Sequence, residues 1–305
     1  MDQISKHPSN APRTSKRRGW LALSAGLAVL LLLSALNPGT MQAALREIGA
    51  LIDLDGGPLS ASPPKLSEHV IAELASMEPQ KQAEMLVQRA TNHYEGAIEL
   101  IGKHVDSWRG KINLTPQFNG MLSVAINSND LRVRAAALEI YLAAYNLPKD
   151  EASFVQLSSR IADDPGSRPW ALWMLGALGN RGVRPSHAYE ILREYAGDRS
   201  EETRFWAVEG LGLLGRDETI QPLLDTFKSD PAMRVRERAG CSLAQSGMLT
   251  KQQRMTAVPA LLDMAQDASV DATTRGWVFQ ALRDITGENL GTDPEAWRAW
   301  WLRAR

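Results

Sequence analysis

Residues 220–243 read IQPLLDTFKSDPAMRVRERAGCSL, and the fold is decided there. Pro222 stands near the start of one apolar helical pattern and Asp230 at its end. A second pattern follows, in which Arg236, Ala239 and Leu243 are spaced at 0, 3 and 7. Positions three and seven residues on lie on one face of a helix, so Ala239 and Leu243 form a single apolar stripe. The small residue lets a neighbouring helix come close, and the acid suits the turn between the two helices.

The same frame recurs on both sides. Arg168 is followed by Ala171 and Leu175, Arg204 by Ala207 and Leu211, and Arg275 by Val278 and Leu282. Arg134 is followed by Ala137, with Tyr141 where the others have Leu. Successive arginines are 34, 36, 32 and 39 residues apart, the period of a two-helix repeat. The preceding helix recurs as well: Pro259 precedes Asp267 by eight residues, as Pro222 precedes Asp230. Asp198 stands six before Arg204, as Asp230 stands six before Arg236. One such hairpin cannot bury its apolar face alone, so neighbours must stack.

Proline in a first helix, an Asp turn, then Val-Arg-x-x-Ala-x-x-x-Leu in a second resembles HEAT repeats, in particular the short phycobilisome-lyase-like subtype. Val133-Arg134 and Val235-Arg236 match best; Arg168, Arg204 and Arg275 lack the preceding Val. The resemblance implies an all-α fold, an α-α solenoid or HEAT/ARM-like superhelix. It also implies a concave surface of second helices that holds a protein partner, in a family made up mostly of scaffolds. The alternative it carries is a phycobilin-lyase-like enzyme. The iron-binding HEAT hydroxylases are not resembled, because no His-Glu dipeptide occurs.

Outward from the repeats, the chain divides into six stretches. Residues 129–287 hold the repeats, and 66–128 are helical but irregular. Residues 288–305 form a terminal helix whose Trp297, Trp300 and Trp301 share one stripe, suited to capping the open end of the array. Residues 38–65, with Gly56-Gly57-Pro58 and Ser60-Ala61-Ser62-Pro63-Pro64, read as a linker. Two helix starts are well marked, Thr115-Pro116 and Asp293-Pro294.

Residues 19–37 read as a single N-terminal transmembrane helix. The uncharged run from Trp20 to Leu36 would reach about 25 Å at ~1.5 Å per residue, near the hydrocarbon thickness. Lys6, Arg13, Lys16, Arg17 and Arg18 in residues 1–18 place the N-terminus in the cytoplasm and the body on the outer side of a bacterial-type membrane. A cleaved signal would instead make the body secreted. Met41-Gln42-Ala43, the nearest cleavage pattern, puts a bulky Met at its first position and favours the uncleaved anchor.

Composition excludes several functions. The 305 residues carry 34 Lys and Arg against 35 Asp and Glu, a balance that gives nucleic acid no field to follow. From residue 129 onward the count is 22 basic to 24 acidic, which favours reading the repeat arginines as a ladder of ion pairs to the Asp turns. The single Cys241 leaves no disulfide framework and no cysteine zinc site.

Chemical motifs fail on context. Gly210-Leu211-Gly212-Leu213-Leu214-Gly215 spells GxGxxG, but the dinucleotide fingerprint needs a preceding strand, and these glycines fall where a helix ends. Ser62-Pro63-Pro64-Lys65 spells SxxK on chain that two prolines keep extended. His69 with Glu73 makes only two ligands, and Asp163-Asp164 and Glu201-Glu202 read as helix starts. No catalytic, cofactor-binding or metal-binding residue is expected, and neither a cofactor nor a small-molecule substrate.

Trp170, Trp206 and Trp277 remain, each two residues after a repeat arginine and on the flank of the apolar stripe. They are packing residues between repeats or exposed anchors for an unidentified protein or peptide, since binding hot spots favour Trp.

Overall fold

The computed structural model describes residues 63–304. The basic N-terminus, the expected anchor at 19–37 and most of the expected linker lie outside the described residues. No described helix is long and apolar enough to cross a membrane.

Helix α1 (Glu68–Ser76) leads into hairpins α2/α3 (Pro79–Thr91, Ala97–Trp108), α4/α5 (Pro116–Ile126, Leu131–Ala144) and α6/α7 (Glu151–Asp163, Arg168–Asn180). Hairpins α8/α9 (Pro185–Tyr195, Glu201–Leu214) and α10/α11 (Ile220–Ser229, Met233–Ala244) follow. The short α12 (Lys251–Thr256) then precedes α13/α14 (Val258–Gln266, Ala272–Thr286) and the terminal α15 (Pro294–Ala304). The second helices α3, α5, α7, α9, α11 and α14 pack in succession, and each first helix packs on its own partner. No strand occurs among the described residues, only one isolated bridge between Lys65 and Glu95.

The caps follow the sequence. Thr115 Oγ1 accepts from the Phe118 amide at 3.2 Å to open α4, and Asp293 Oδ1 accepts from the Glu295 amide at 3.0 Å at the start of α15. Ser200 opens α9, and Gly215 closes it in the left-handed region at φ 65°. The stripe is buried as spaced: Ala171, Ala207, Ala239 and Val278 are fully covered, with Leu175, Leu211, Leu243 and Leu282 beneath them. At the far end Trp297 is fully buried, with Trp300 and Trp301 packed partly covered on the same core. Trp297 donates its indole N–H to the Gly291 carbonyl at 3.1 Å.

Two expectations need correction, and one boundary gains contacts. The last residues of the expected linker lie against the array, ahead of α1: the Pro64 carbonyl and the Leu66 amide bond to Glu95, and Lys65 pairs with the Glu95 carboxylate at 3.2 Å. Asp163 ends α6 and does not begin a helix, and the Asp164 carboxylate accepts from the Gly166 and Ser167 amides of the turn. The repeat arginines form only part of an ion-pair ladder. Arg204 Nε meets Asp230 Oδ2 at 2.7 Å, and Arg236 reaches Asp271 at 3.4 Å. What all five share is a bond to backbone carbonyls just upstream. Arg168 Nε donates to Ile161 at 2.6 Å, Arg204 Nη1 to Asp198 at 3.1 Å and Arg236 Nη1 to Asp230 at 2.7 Å. Arg275 Nη2 donates to Val270 at 2.7 Å, and Arg134 Nε to Ser128. Each arginine thus satisfies carbonyls left over where the first helix ends, a clasp across its own hairpin.

The glycines of the GxGxxG string are packing devices. A Cβ on Gly210 would stand 2.7 Å from the Leu172 carbonyl oxygen, and one on Gly176 would overlap Gly210 itself. Helices α7 and α9 therefore lie backbone against backbone, which no larger residue permits.

Candidate partner-binding groove

Tyr141 and Tyr145 are one turn apart on α5, and Trp170 and Trp173 one turn apart on α7, so each helix presents a pair of rings on one face. The two pairs meet edge to face. Tyr141 and Trp173 have ring centroids 5.0 Å apart, and Tyr145 and Trp170 5.2 Å, within the range for favourable aromatic pairs. Trp206 on α9 completes an open groove of about 470 Å³, with Pro169, Gly166 and Glu202 at its edge.

The rings are held unequally. The Tyr141 hydroxyl donates to Asn119 Oδ1 at 3.2 Å, and burial pushes its pKa up to about 12. Trp206 donates its indole N–H to Glu202 Oε1 at 2.6 Å, and Arg234 bonds the other carboxylate oxygen at 2.9 Å. The Trp206 indole and then Arg234 hold the Glu202 carboxyl below its ordinary pKa. Arg234 also lies 4.0 Å above the Phe205 ring, which fixes this rim. Tyr145 is 42% exposed. Trp170 has the Arg160 guanidinium 5.2 Å from its ring, while its buried indole N–H has no hydrogen-bond partner.

Of the three tryptophans singled out by the repeat frame, Trp170 and Trp206 share this groove and Trp277 does not. Trp277 lies on α14, in a separate cleft of about 150 Å³ beside Gly240 and Cys241 of α11. The repeat frame missed Tyr141, Tyr145 and Trp173. Tyr141 had left a trace, as the one repeat in which an aromatic replaces the Leu. Trp173 was visible as the next turn of the Trp170 face.

The groove offers ring faces and a carboxylate already engaged by the Trp206 indole and Arg234. No nucleophile with an adjacent base lines it. His69 and Glu73 are exposed on α1, and no group of three or more metal-capable side chains occurs among the described residues.

Residues 154–244 match the family model described as HEAT repeats. That span runs from within α6 to the end of α11, which covers α7 to α9 and hence Trp170, Trp173 and Trp206. No curated protein matches the chain.

Proposed function

We propose, from the premise that residues 154–244 are HEAT repeats, that this protein is a membrane-tethered scaffold whose α5/α7/α9 groove holds an extended, proline-bearing segment of a partner protein. HEAT repeats suggest a protein-interaction scaffold, and the groove gives that role a place. The observation that carries the reading is the open, ring-lined groove itself, in which the 42% exposed Tyr145 stands edge to face with Trp170, and Trp206 forms a further wall. Polyproline-type segments suit such channels because they arrive already extended and pack their rings on aromatic faces.

The tether in this reading is residues 19–37, on the strength of the apolar run and its basic flank. It puts the array on the outer side of a bacterial-type cytoplasmic membrane, facing another envelope protein. The reading assigns the chain no reaction and no cofactor of its own. The repeats fall in the phycobilisome-lyase-like subtype on Val133-Arg134 and Val235-Arg236, which concerns the form of the repeat and not its activity.

A photo-crosslinking side chain in place of Tyr145, used in the full chain in native membranes, tests the reading. It should label one protein, and that protein once purified should bind Trp206→Ala at least about tenfold more weakly than wild type, with the array still melting cooperatively. Equal binding to both would remove the groove from the interface. A reporter active only outside the cytoplasm, fused after Arg305, should be active; an inactive one would place the body inside.

A further inference from the structure

The curvature of the array brings together residues more than a hundred positions apart. The turn after α11 folds inward: its Met248 amide donates to the Gly212 carbonyl at 2.8 Å, and its Gly247 carbonyl accepts from Arg134 Nη1 on α5 at 2.6 Å. Beside this turn lies a cavity of about 940 Å³, bounded by the start of α5, the end of α11, α12 and the end of α14. Its size is at the upper end of the ~300–1,000 Å³ usual for small-molecule sites.

The charges around it do not cancel. Arg134 and Arg254 are 5% and 7% exposed, and neither meets a carboxylate among the described residues. Arg254 spends its donors on the carbonyls of Ser242, Leu243, Gln245, Ser246 and Leu249. Arg134 has only the Ser128 and Gly247 carbonyls. Burial lowers the pKa of both, and the charge of Arg134 further depresses that of Arg254. Lys251 adds a third, exposed cation one turn before Arg254. Arg238 is compensated by Glu209 at 3.1 Å, and the remaining acid, Asp284, is engaged by the Gln245 and Gln280 amides. Two buried guanidiniums without a counter-ion are costly. Elsewhere in this chain a buried repeat arginine has one, as Arg204 has Asp230.

We propose that this cavity binds a small multivalent oxyanion, a ligand carrying two or more phosphate or carboxylate groups, held by Arg134, Lys251 and the field of Arg254. Such a ligand supplies the missing negative charge and bridges the start of α5 and the α11–α12 wall that line the cavity. Balanced overall composition hid this site, because the fold and not the sequence brings Arg134 to Lys251 and Arg254.

Calorimetric titration of the full chain at low salt, with inorganic pyrophosphate and separately with citrate, tests it. Saturable binding of at least one is expected, weakening with added NaCl. It should be about tenfold weaker in Lys251→Gln, a variant at an exposed position whose fold a melting curve confirms. Pyrophosphate alone would identify phosphate as the recognised group, citrate alone carboxylate, and both the shared oxyanion chemistry. Trp206→Ala should bind as wild type, so the result is separate from the fate of the aromatic groove. Absence of saturable heat with either anion would overturn the proposal, as would undiminished binding in both Lys251→Gln and Lys251→Glu.

Discussion

Helix α7 is joined to its two neighbours in opposite ways. Against α9 it presents Gly176 to Gly210, and the backbones touch with no side chain between them. Against α5 it presents Trp170 and Trp173 to Tyr145 and Tyr141, so four rings stand in the seam. Both seams obey the same repeat frame, with a small residue three positions after the arginine. The frame therefore sets the hairpin, and the residues outside it set the spacing between hairpins. One seam is closed by removing side chains and the other is held open by large ones, and the open seam is where a groove exists.

The clasp on the α9 side gives the largest expected effect. Asp230→Ala would strand Arg204, whose side chain is only 10% exposed, without its carboxylate. The loss of stability should be about 3–5 kcal/mol, read from denaturant midpoints. Arg168, the counterpart on α7, meets only carbonyls and the Tyr195 ring, so Arg168→Met should cost clearly less. Equal losses would erase the distinction between the two helices. Next comes the closed seam itself. Gly176→Val drives a branched side chain into Gly210 and should cost about 1–3 kcal/mol or more, lowering Tm by several degrees for a unit of this size. A wild-type melt for that variant would mean the seam has slack that the geometry denies.

The open seam should be more forgiving. Tyr141→Leu restores the residue the other repeats carry, and replaces a largely buried ring and its hydrogen bond to Asn119 by a smaller aliphatic side chain. It should cost about 1 kcal/mol, the centre of the range for single substitutions, while loosening Trp173, visible as increased indole mobility by NMR relaxation. A collapse of stability on that exchange would show the rings to be structural keystones and not walls of a groove.

The hairpin order beyond residue 130, the buried stripe, the capping tryptophans and two marked helix starts were legible because they depend on periodicity and local capping, which a sequence displays; the hairpins within 66–128 lack the repeat frame and were read only as irregular helix. The arginine clasps were half legible: the recurring positions stood out, but backbone carbonyl partners have no residue letter, so ion pairs to Asp seemed the natural use. The groove was partly legible for the same reason. Trp170 and Trp206 recur in frame, whereas Tyr145 joins them only through the angle at which α5 meets α7. Trp277 recurs in frame too, yet α14 carries it to another cleft. Nothing in the spacing could bring Arg134 to the same cavity as Arg254, since that proximity depends on how four successive hairpins accumulate their turn.

The smallest effect concerns the rim of the groove, where Glu202 joins the two seams' chemistry by holding Trp206. Its carboxyl lies below the ordinary pKa of 4.5 because the Trp206 indole N–H and Arg234 both bond the charged form. A carboxylate depressed in the folded state contributes stability that is present above the ordinary pKa and is lost as pH falls through the folded value. Both partners of the Arg234 pair are about half exposed, so solvent and salt screen the contribution and global melting should barely register it. The local signal is clearer. Subtracting the emission of Trp206→Phe from wild type isolates Trp206, and that difference should change on acidification with a midpoint below 4.5. Glu202→Gln should abolish the transition. A transition that survives in Glu202→Gln would belong to another acid, and Trp206 would then be held by packing alone and not as a pinned wall of the groove.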